Sequence, residues 1–442
     1  MRTTHYYQTD PLTVRPWLYI LHDVRDIQLI SRIHEKHLLS LLSNHPAVIL
    51  HGARQTGKTT LCAKSSLADG RKYINFDELN NLHLALSDPD ALFIGKGRVT
   101  VDEAQRAPEV LLAVKRRIDE NRKPGEFLIT GSANILLMRT VGESLAGRAV
   151  VYALPGFVWP ELERMSFGGT LSACLSADSL ETLVAELPAE RRIPKLSLGE
   201  AVHRGGYPVP SMHPDPVFRA QWYDGYVQTY LERDLARLSA VENVVEFRRL
   251  MGMCAARNGQ LLNAAALADG LQISQATARR YLSLLEQSFQ ILRVPAYAVN
   301  RGKRLIKAPK LYWSDTGLAS HLAGVFSLGD LLSDRIWGPW LENFVAIHLL
   351  VFVALQSPRA TVSHWRTSDG REVDFVVEWG RRLLPIEIKA SPKPVLSRLS
   401  GLNAFLDTYE GVPFGIVLCT CSEPFLLSSR IIALPFEQLL LN

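Results

Sequence analysis

The sequence predicts an α/β protein. A parallel sheet occupies residues 28–165, a mostly helical stretch follows, and a second α/β unit lies on the C-terminal side. Three patterns carry this expectation. Short apolar runs at 47–50, 73–76, 98–101 and 127–130 alternate with amphipathic helical stretches, the order that packs helices on both faces of parallel strands. Residues 197–325 keep a helical spacing of apolar side chains. After an apolar helix near 339–350, residues 371–378 and 384–389 alternate as strands do.

Composition sets the class. Of 442 residues, 47% are apolar and 21% charged, which suits large cores that need neither disulfides nor metal. Cys62, Cys174, Cys254, Cys419 and Cys421 form no framework; the 419/421 pair has no second pair to complete a zinc site. Reduced thiols and a cytoplasmic location are expected. The first thirty residues lack the order of a signal peptide. The longest apolar run, 344–355, is shorter than the roughly 20 residues that span a bilayer and contains His348. It predicts a buried helix and no membrane partner.

The first run leads into Gly52-Ala53-Arg54-Gln55-Thr56-Gly57-Lys58-Thr59-Thr60, which opens a helix. A loop that holds a triphosphate must turn backbone N–H groups toward it, and glycine lets the chain wrap closely. The helix N-terminus adds a field that favours anions. Lys58 is placed to reach the β- and γ-phosphates, and the Thr59 hydroxyl to hold Mg²⁺. The expected ligand is ATP with Mg²⁺. Strand 98–101 ends in Asp102-Glu103. Ligands of such sheets lie beyond the strand carboxyl ends, where Asp102 can support Mg²⁺ and Glu103 can orient or deprotonate water. Ser132 and Asn134 follow strand 127–130 and either sense the γ-phosphate or cap a helix. Arg148, after Leu145-Ala146-Gly147, is a candidate finger acting in trans or an ordinary ion-pair residue; Arg54 carries the same alternatives.

These motifs, with Val101-Asp102-Glu103-Ala104-Gln105-Arg106-Ala107-Pro108 and Leu128-Ile129-Thr130-Gly131-Ser132-Ala133-Asn134, resemble a family of prokaryotic AAA-type ATPases that carry a C-terminal domain of unknown function. The resemblance continues through Gly205-Gly206-Tyr207-Pro208, Tyr230-Leu231-Glu232-Arg233-Asp234 and the stretch from Lys310 to Leu318, so it covers residues 28 to about 392. It implies ATP binding, hydrolysis and, as in related ATPases, a homo-oligomer. The chain divides into an N-terminal arm (1–27), the ATPase core (28–165), a linker or insertion with a helical lid region (166–225), a helical domain (226–325) and a second α/β domain (326–442).

In the helical domain, 267–286 reads as helix, tight turn, helix, with Gly270 breaking the first helix and Ser274 capping the second. Ala278, Tyr281, Leu282 and Leu285 form the apolar face; Gln275, Thr277 and Arg279 face outward. Strands at 290–294 and 305–306 are expected to bracket a basic wing at 300–304. This resembles a winged helix. From 271 to 310 there are eight Lys/Arg against one acid, Glu286, while the whole chain carries only +5. Such a stripe fits nucleic acid, through Arg279, Arg280, Arg301, Lys303 and Arg304, or a solvated face, or an interdomain module.

Toward the C-terminus, Asp374 lies on one strand, and Glu387 and Lys389 lie two residues apart on the next; Glu342 lies on the helix upstream. This resembles the PD-(D/E)xK core of restriction-endonuclease-like folds. Asp374, Glu387 and Glu342 could share Mg²⁺ while Lys389 polarises water or phosphate. The bland alternative is a half-buried strand whose charges face solvent and whose Ile386 and Ile388 face inward.

Three functions compete: an ATPase whose cycle controls a nucleic-acid-binding C-terminal half, a nucleotide-dependent protein–protein switch with an inactive nuclease-like core, and an ATP-regulated, metal-dependent nuclease.

Overall fold

The structure, a computed structural model, describes residues 29–131, 145–188, 192–235, 241, 243–333 and 335–442. Five parallel strands form the first sheet: β1 (Ala47–His51), β2 (Arg71–Asn75), β3 (Arg98–Asp102), β4 (Phe127–Thr130) and β5 (Ala149–Ala153). Their order is β2-β3-β4-β1-β5. Successive side chains of a strand point to opposite faces. Val48, Leu50 and Leu128 accordingly pack with Leu38 and Leu42 of helix Glu35–Asn44. Ile49, Val101 and Ile129 pack with Val110, Val114 and Ile118 of helix Val110–Glu120. The sequence pattern located four of these strands. It missed β5, the Ala-Val-Val-Tyr-Ala run that pairs with β1 at the sheet edge.

The helical middle departs from expectation at two places. Helix Ala264–Leu271 runs through Gly270, and Gln272 takes the left-handed turn at φ 58°. A glycine inside a helix costs only about 1 kcal/mol, and burial of Leu267, Ala268 and Leu271 offsets it. Helix Gln275–Gln287 then starts at Ser274, whose hydroxyl accepts the Thr277 N–H at 3.0 Å. The second departure is the wing. Residues 301–306 form a helix, not a strand. The partner of β6 (Ile291–Val294) is β7 (Lys310–Trp313), paired antiparallel. Burial explains the choice: Leu311, Tyr312 and Trp313 are fully enclosed, whereas Ile306 is 86% exposed.

The stretch expected as a linker contains two helices, Gly169–Ser176 and Leu180–Glu186. Leu171 and Leu175 share a core with Leu384, Phe414 and Leu440, and the Gly169 N–H donates to the carbonyl of Asn442 at 2.8 Å. Its small residues signalled close packing rather than a free tether. The second sheet is mixed, in the order β12-β13-β11-β10-β9-β8. Its strands are β8 (Thr361–Arg366), β9 (Glu372–Trp379), β10 (Arg382–Lys389), β11 (Gly415–Cys419), β12 (Phe425–Ser428) and β13 (Ile431–Pro435). One face packs against helix Trp337–Leu355 through Leu341, Val345 and Leu349, the other against helix Ser400–Thr408 through Leu402 and Phe405. With both faces covered, residues 384–388 are all buried, Glu387 included. The solvent-facing alternative for Glu387 is thereby overturned. Helix Trp337–Leu355 is long and apolar enough to cross a membrane, but most of it is enclosed in this core.

Candidate functional site

The loop from Gly52 to Lys58 leaves the end of β1 and enters helix Lys58–Lys64. Gly52, Gln55 and Gly57 have positive φ (142°, 69° and 90°). A Cβ at Gly52 would stand 2.4 Å from the Leu154 carbonyl oxygen, so only glycine fits between loop and β5. The Gly57 carbonyl starts the helix by accepting the Leu61 N–H, and the Thr56 hydroxyl donates to the Ala53 carbonyl. Thr59 and Thr60 are exposed at the helix start.

Lys58 is buried, and its ammonium donates to the carbonyls of Gly52 and Ala53 at 3.1 and 2.7 Å. Burial lowers its pKa to about 8, with Glu103 and Asp102 pulling the other way. Those two acids sit at the end of β3, so the loop and β3 converge as expected. Asp102 is held by hydroxyls from both neighbouring strands, Tyr73 of β2 and Thr130 of β4. Glu103 adopts a left-handed conformation, φ 58°, and its N–H donates to Asp102 Oδ1 at 3.1 Å. Burial raises the pKa of Glu103, against a hydrogen bond from Gln105. A cavity of about 730 Å³ opens beside Gly57 and Thr60, walled by Leu29, Ile30, Phe157 and Met212.

Arg54 is tied into the helical half. Its guanidinium lies 5.6 Å over the Tyr230 ring, and its carbonyl accepts the Tyr226 hydroxyl at 3.4 Å. Arg148 is paired with Asp119 of its own chain at 2.5 Å. Ser132, Asn134 and the side chains of Arg233, Arg301 and Lys303 lie outside the described residues.

Sequence reasoning missed Arg32. It donates to the Thr56 carbonyl, to Pro155 and Gly156 beyond β5, and pairs with Glu161 at 2.8 Å. It thus clamps the loop to the segment that follows the sheet. Its only sequence signal was a charge in an apolar helical entry. Asp315 was also missed. It is buried and accepts N–H groups from Gly206, Tyr207 and Leu318 and the Tyr223 hydroxyl. Burial raises its pKa while those donors oppose the rise. This carboxylate joins two stretches that resembled the family, 205–208 and 310–318.

The second sheet brings Glu342, Asp374, Glu387 and Lys389 together, but with a residue not foreseen among them. Lys310, the first residue of β7, is almost fully enclosed. Its ammonium lies 2.7 Å from Glu342 Oε1, 3.0 Å from Glu372 Oε1 and 3.4 Å from Asp374 Oδ1. Burial works against this ammonium, yet the three acids outweigh it and raise its pKa. Tyr312 donates to Glu342, the Ile388 N–H to Asp374 Oδ2 at 2.8 Å, and Lys389 pairs with Glu387 at 2.6 Å. Burial, reinforced by Asp374, pushes Glu342 up to about 7 and Glu387 to about 8. A divalent ion does not fit this arrangement, because an ammonium already holds the carboxylate oxygens that would ligate it. Among the described residues no group of three or more His, Cys, Asp or Glu is disposed to hold a metal.

Part of the basic stripe is spent inside the chain. Arg293 pairs with Glu286 at 2.9 Å, Arg304 with Glu378 at 2.6 Å, and Lys310 with the carboxylates above. Arg279 and Arg280 are exposed on the outer face of helix Gln275–Gln287.

Comparison with known proteins places these parts. Residues 44–163 match the AAA domain, 195–329 a domain of unknown function (DUF8612), and 337–439 a second domain of unknown function (DUF4143). An uncharacterized protein of Mycobacterium tuberculosis, Rv2008c, is 32% identical over 401 residues, which are 90% of this chain and 82% of that one. This chain belongs to the same family of AAA-domain proteins. Another relative, an uncharacterized protein of Haemophilus influenzae, is 26% identical over 60% of this chain and 58% of its own length. Among solved structures, the chain is similar to a Walker-type ATPase of Pyrococcus abyssi, with 17% identity, TM-score 0.41, and coverage of 66% of this chain and 96% of that one. It is also similar to the RuvB Holliday junction branch migration motor of Thermotoga maritima, with 18% identity, TM-score 0.26, and coverage of 60% and 90%. The match over 44–163 thus makes the N-terminal unit an AAA-type ATPase domain built on a parallel sheet, followed by a helical region and a mixed-sheet domain.

Proposed function

We propose that this protein hydrolyses ATP in the presence of Mg²⁺ and uses the cycle to reposition its C-terminal half. The observation that carries the reading is Lys58: a buried ammonium whose hydrogen bonds, among the described residues, go only to loop carbonyls, at a helix N-terminus beside Asp102 and Glu103. It is arranged to exchange those carbonyls for phosphate oxygens. The residues fit the nucleotide and its metal. The positive-φ loop leaves N–H groups free to turn inward, and the cavity at Gly57 has room for a nucleoside. In this reading Lys58 and the backbone from Gly52 to Thr60 hold the phosphates, and Thr59 and Asp102 hold Mg²⁺. Mg²⁺ supplies charge neutralisation on the phosphate oxygens.

Glu103 orients a water whose oxygen attacks the γ-phosphorus as the bond to the β–γ bridging oxygen breaks. The water proton passes to the Glu103 carboxylate, made more basic by burial. Ser132 is assigned to the γ-phosphate, and Arg148 to a neighbouring protomer of a homo-oligomer once it leaves Asp119. Nucleic acid is assigned to the exposed Arg279 and Arg280. A second reading, a protein–protein switch with an inactive nuclease-like core, draws support from the stripe's internal ion pairs and from the ammonium in the carboxylate centre.

ATP turnover with and without duplex DNA tests both. Glu103→Gln is expected to bind ATP and slow hydrolysis by about 10²-fold or more. DNA stimulation that Arg279→Ala/Arg280→Ala removes supports the first reading. Turnover indifferent to DNA selects the second, and turnover unchanged in Glu103→Gln refutes the catalytic assignment.

A further inference from the structure

The carboxylate centre contains four acids, Glu342, Glu372, Asp374 and Glu387, and two ammonium groups, Lys310 and Lys389. Lys389 belongs to β10 of the second sheet. Lys310 does not: it arrives on β7, the second strand of the hairpin in the helical middle. The three N–H bonds of an ammonium can serve the three oxygens that surround it. Its place is fixed from behind, because Asn343 on helix Trp337–Leu355 accepts the Trp313 N–H at 3.0 Å and donates to the Trp313 carbonyl at 2.7 Å. The backbone of β7 is also bonded to 259–260 through Leu311. One carboxylate oxygen of the centre, Glu387 Oε2, is buried without a hydrogen-bond partner among the described residues, so the centre keeps an unused acceptor.

We propose that Lys310 is a built-in cation that takes the place of a divalent metal, and that the β6–β7 hairpin thereby closes the carboxylate centre. While β7 is docked, a divalent ion is excluded by charge and by volume, since its ligands are already engaged at 2.7–3.4 Å. Withdrawal of the hairpin, or loss of the ammonium alone, opens the centre to a divalent cation. The helical middle is thus a plug for the domain it precedes. This inference is independent of the ATP reading and concerns a different part of the chain.

The test uses the full chain without nucleotide, so that the phosphate loop offers Mn²⁺ no phosphate ligands. Mn²⁺ binding is followed by electron paramagnetic resonance, and the unfolding midpoint is measured with and without Mn²⁺. Wild type is expected to bind no Mn²⁺ at the centre. Lys310→Met is expected to bind one ion and to show a rise in midpoint with Mn²⁺, both lost when Asp374→Asn is added. Removing an ammonium from among carboxylates threatens folding, so Lys310→Met/Glu372→Gln, which removes one charge of each sign, is measured in parallel. Mn²⁺ bound by wild type and removed by Asp374→Asn would overturn the proposal. So would a folded Lys310 variant that binds no Mn²⁺, or failure of both variants to fold even when refolded with Mn²⁺.

Discussion

Two buried lysines organise this molecule, and their surroundings are opposite. Lys58 meets two backbone carbonyls, and burial drags its pKa down to about 8. Lys310 meets three carboxylates, and its pKa rises. The first ammonium has only carbonyl oxygens as hydrogen-bond acceptors among the described residues. The second is already neutralised and holds a core shut. In the two proposals above an identical side chain serves as a receptor in one place and as a stopper in the other, and its partners set the difference.

Replacing each lysine should separate these roles. The largest effect is expected at Lys310. Lys310→Ala leaves buried carboxylates unpaired and should lower stability by about 3–5 kcal/mol in urea unfolding. A loss no larger than a surface substitution would erase the contrast. Lys58→Ala should instead leave stability nearly unchanged and weaken ATP binding on the order of a hundredfold, about 2.7 kcal/mol, by calorimetry.

A smaller effect is expected at a buried histidine between the two regions. His348 accepts the Trp159 N–H at 3.0 Å, and burial lowers its pKa to about 4. Unfolded, it takes its proton near 6.5, before the folded chain does. Its contribution is therefore complete above pH 6.5 and lost as the pH falls to about 4; about 2 kcal/mol of it is gone at pH 5. His348→Gln should flatten that acid limb; an unchanged slope between pH 6.5 and 4 would reassign it elsewhere. The smallest effect belongs to Arg148. Its exposed pair with Asp119 should add little, so Arg148→Ala should leave the melting midpoint where it is. Any loss of turnover in that variant would then report on catalysis rather than folding.

The two regions also differ in how far the sequence disclosed them. The phosphate loop and the Asp102-Glu103 pair were legible because each is a short contiguous stretch whose residue types answer to local backbone geometry. The sheet around them followed from period, except β5, a half-exposed edge strand whose Ala-Val-Val-Tyr-Ala run shows neither clean alternation nor full burial. Asp374, Glu387 and Lys389 were legible as a pattern, since alternate strand residues share a face, and Glu342 as the acid on the helix upstream of them. Lys310 was not, because its partners lie on a helix and a strand far along the chain, and charge counting placed it in a solvated stripe. Arg304 misled in the same way: a tally of cations cannot see Glu378 opposite it. The 166–196 stretch was misread because serine, alanine and glycine signal both tethers and close packing.

That stretch has a consequence for how the chain assembles. Gly169 bonds to Asn442, and Leu171 and Leu175 share a core with Leu440. The contact spans more than half the chain. Everything between must be made before the helix Gly169–Ser176 finds its cover, and long-range closures of this kind fold slowly. During synthesis the ATPase sheet can close early, while its nearest neighbour in sequence waits for cover from Leu384, Phe414 and Leu440, which are made long after it.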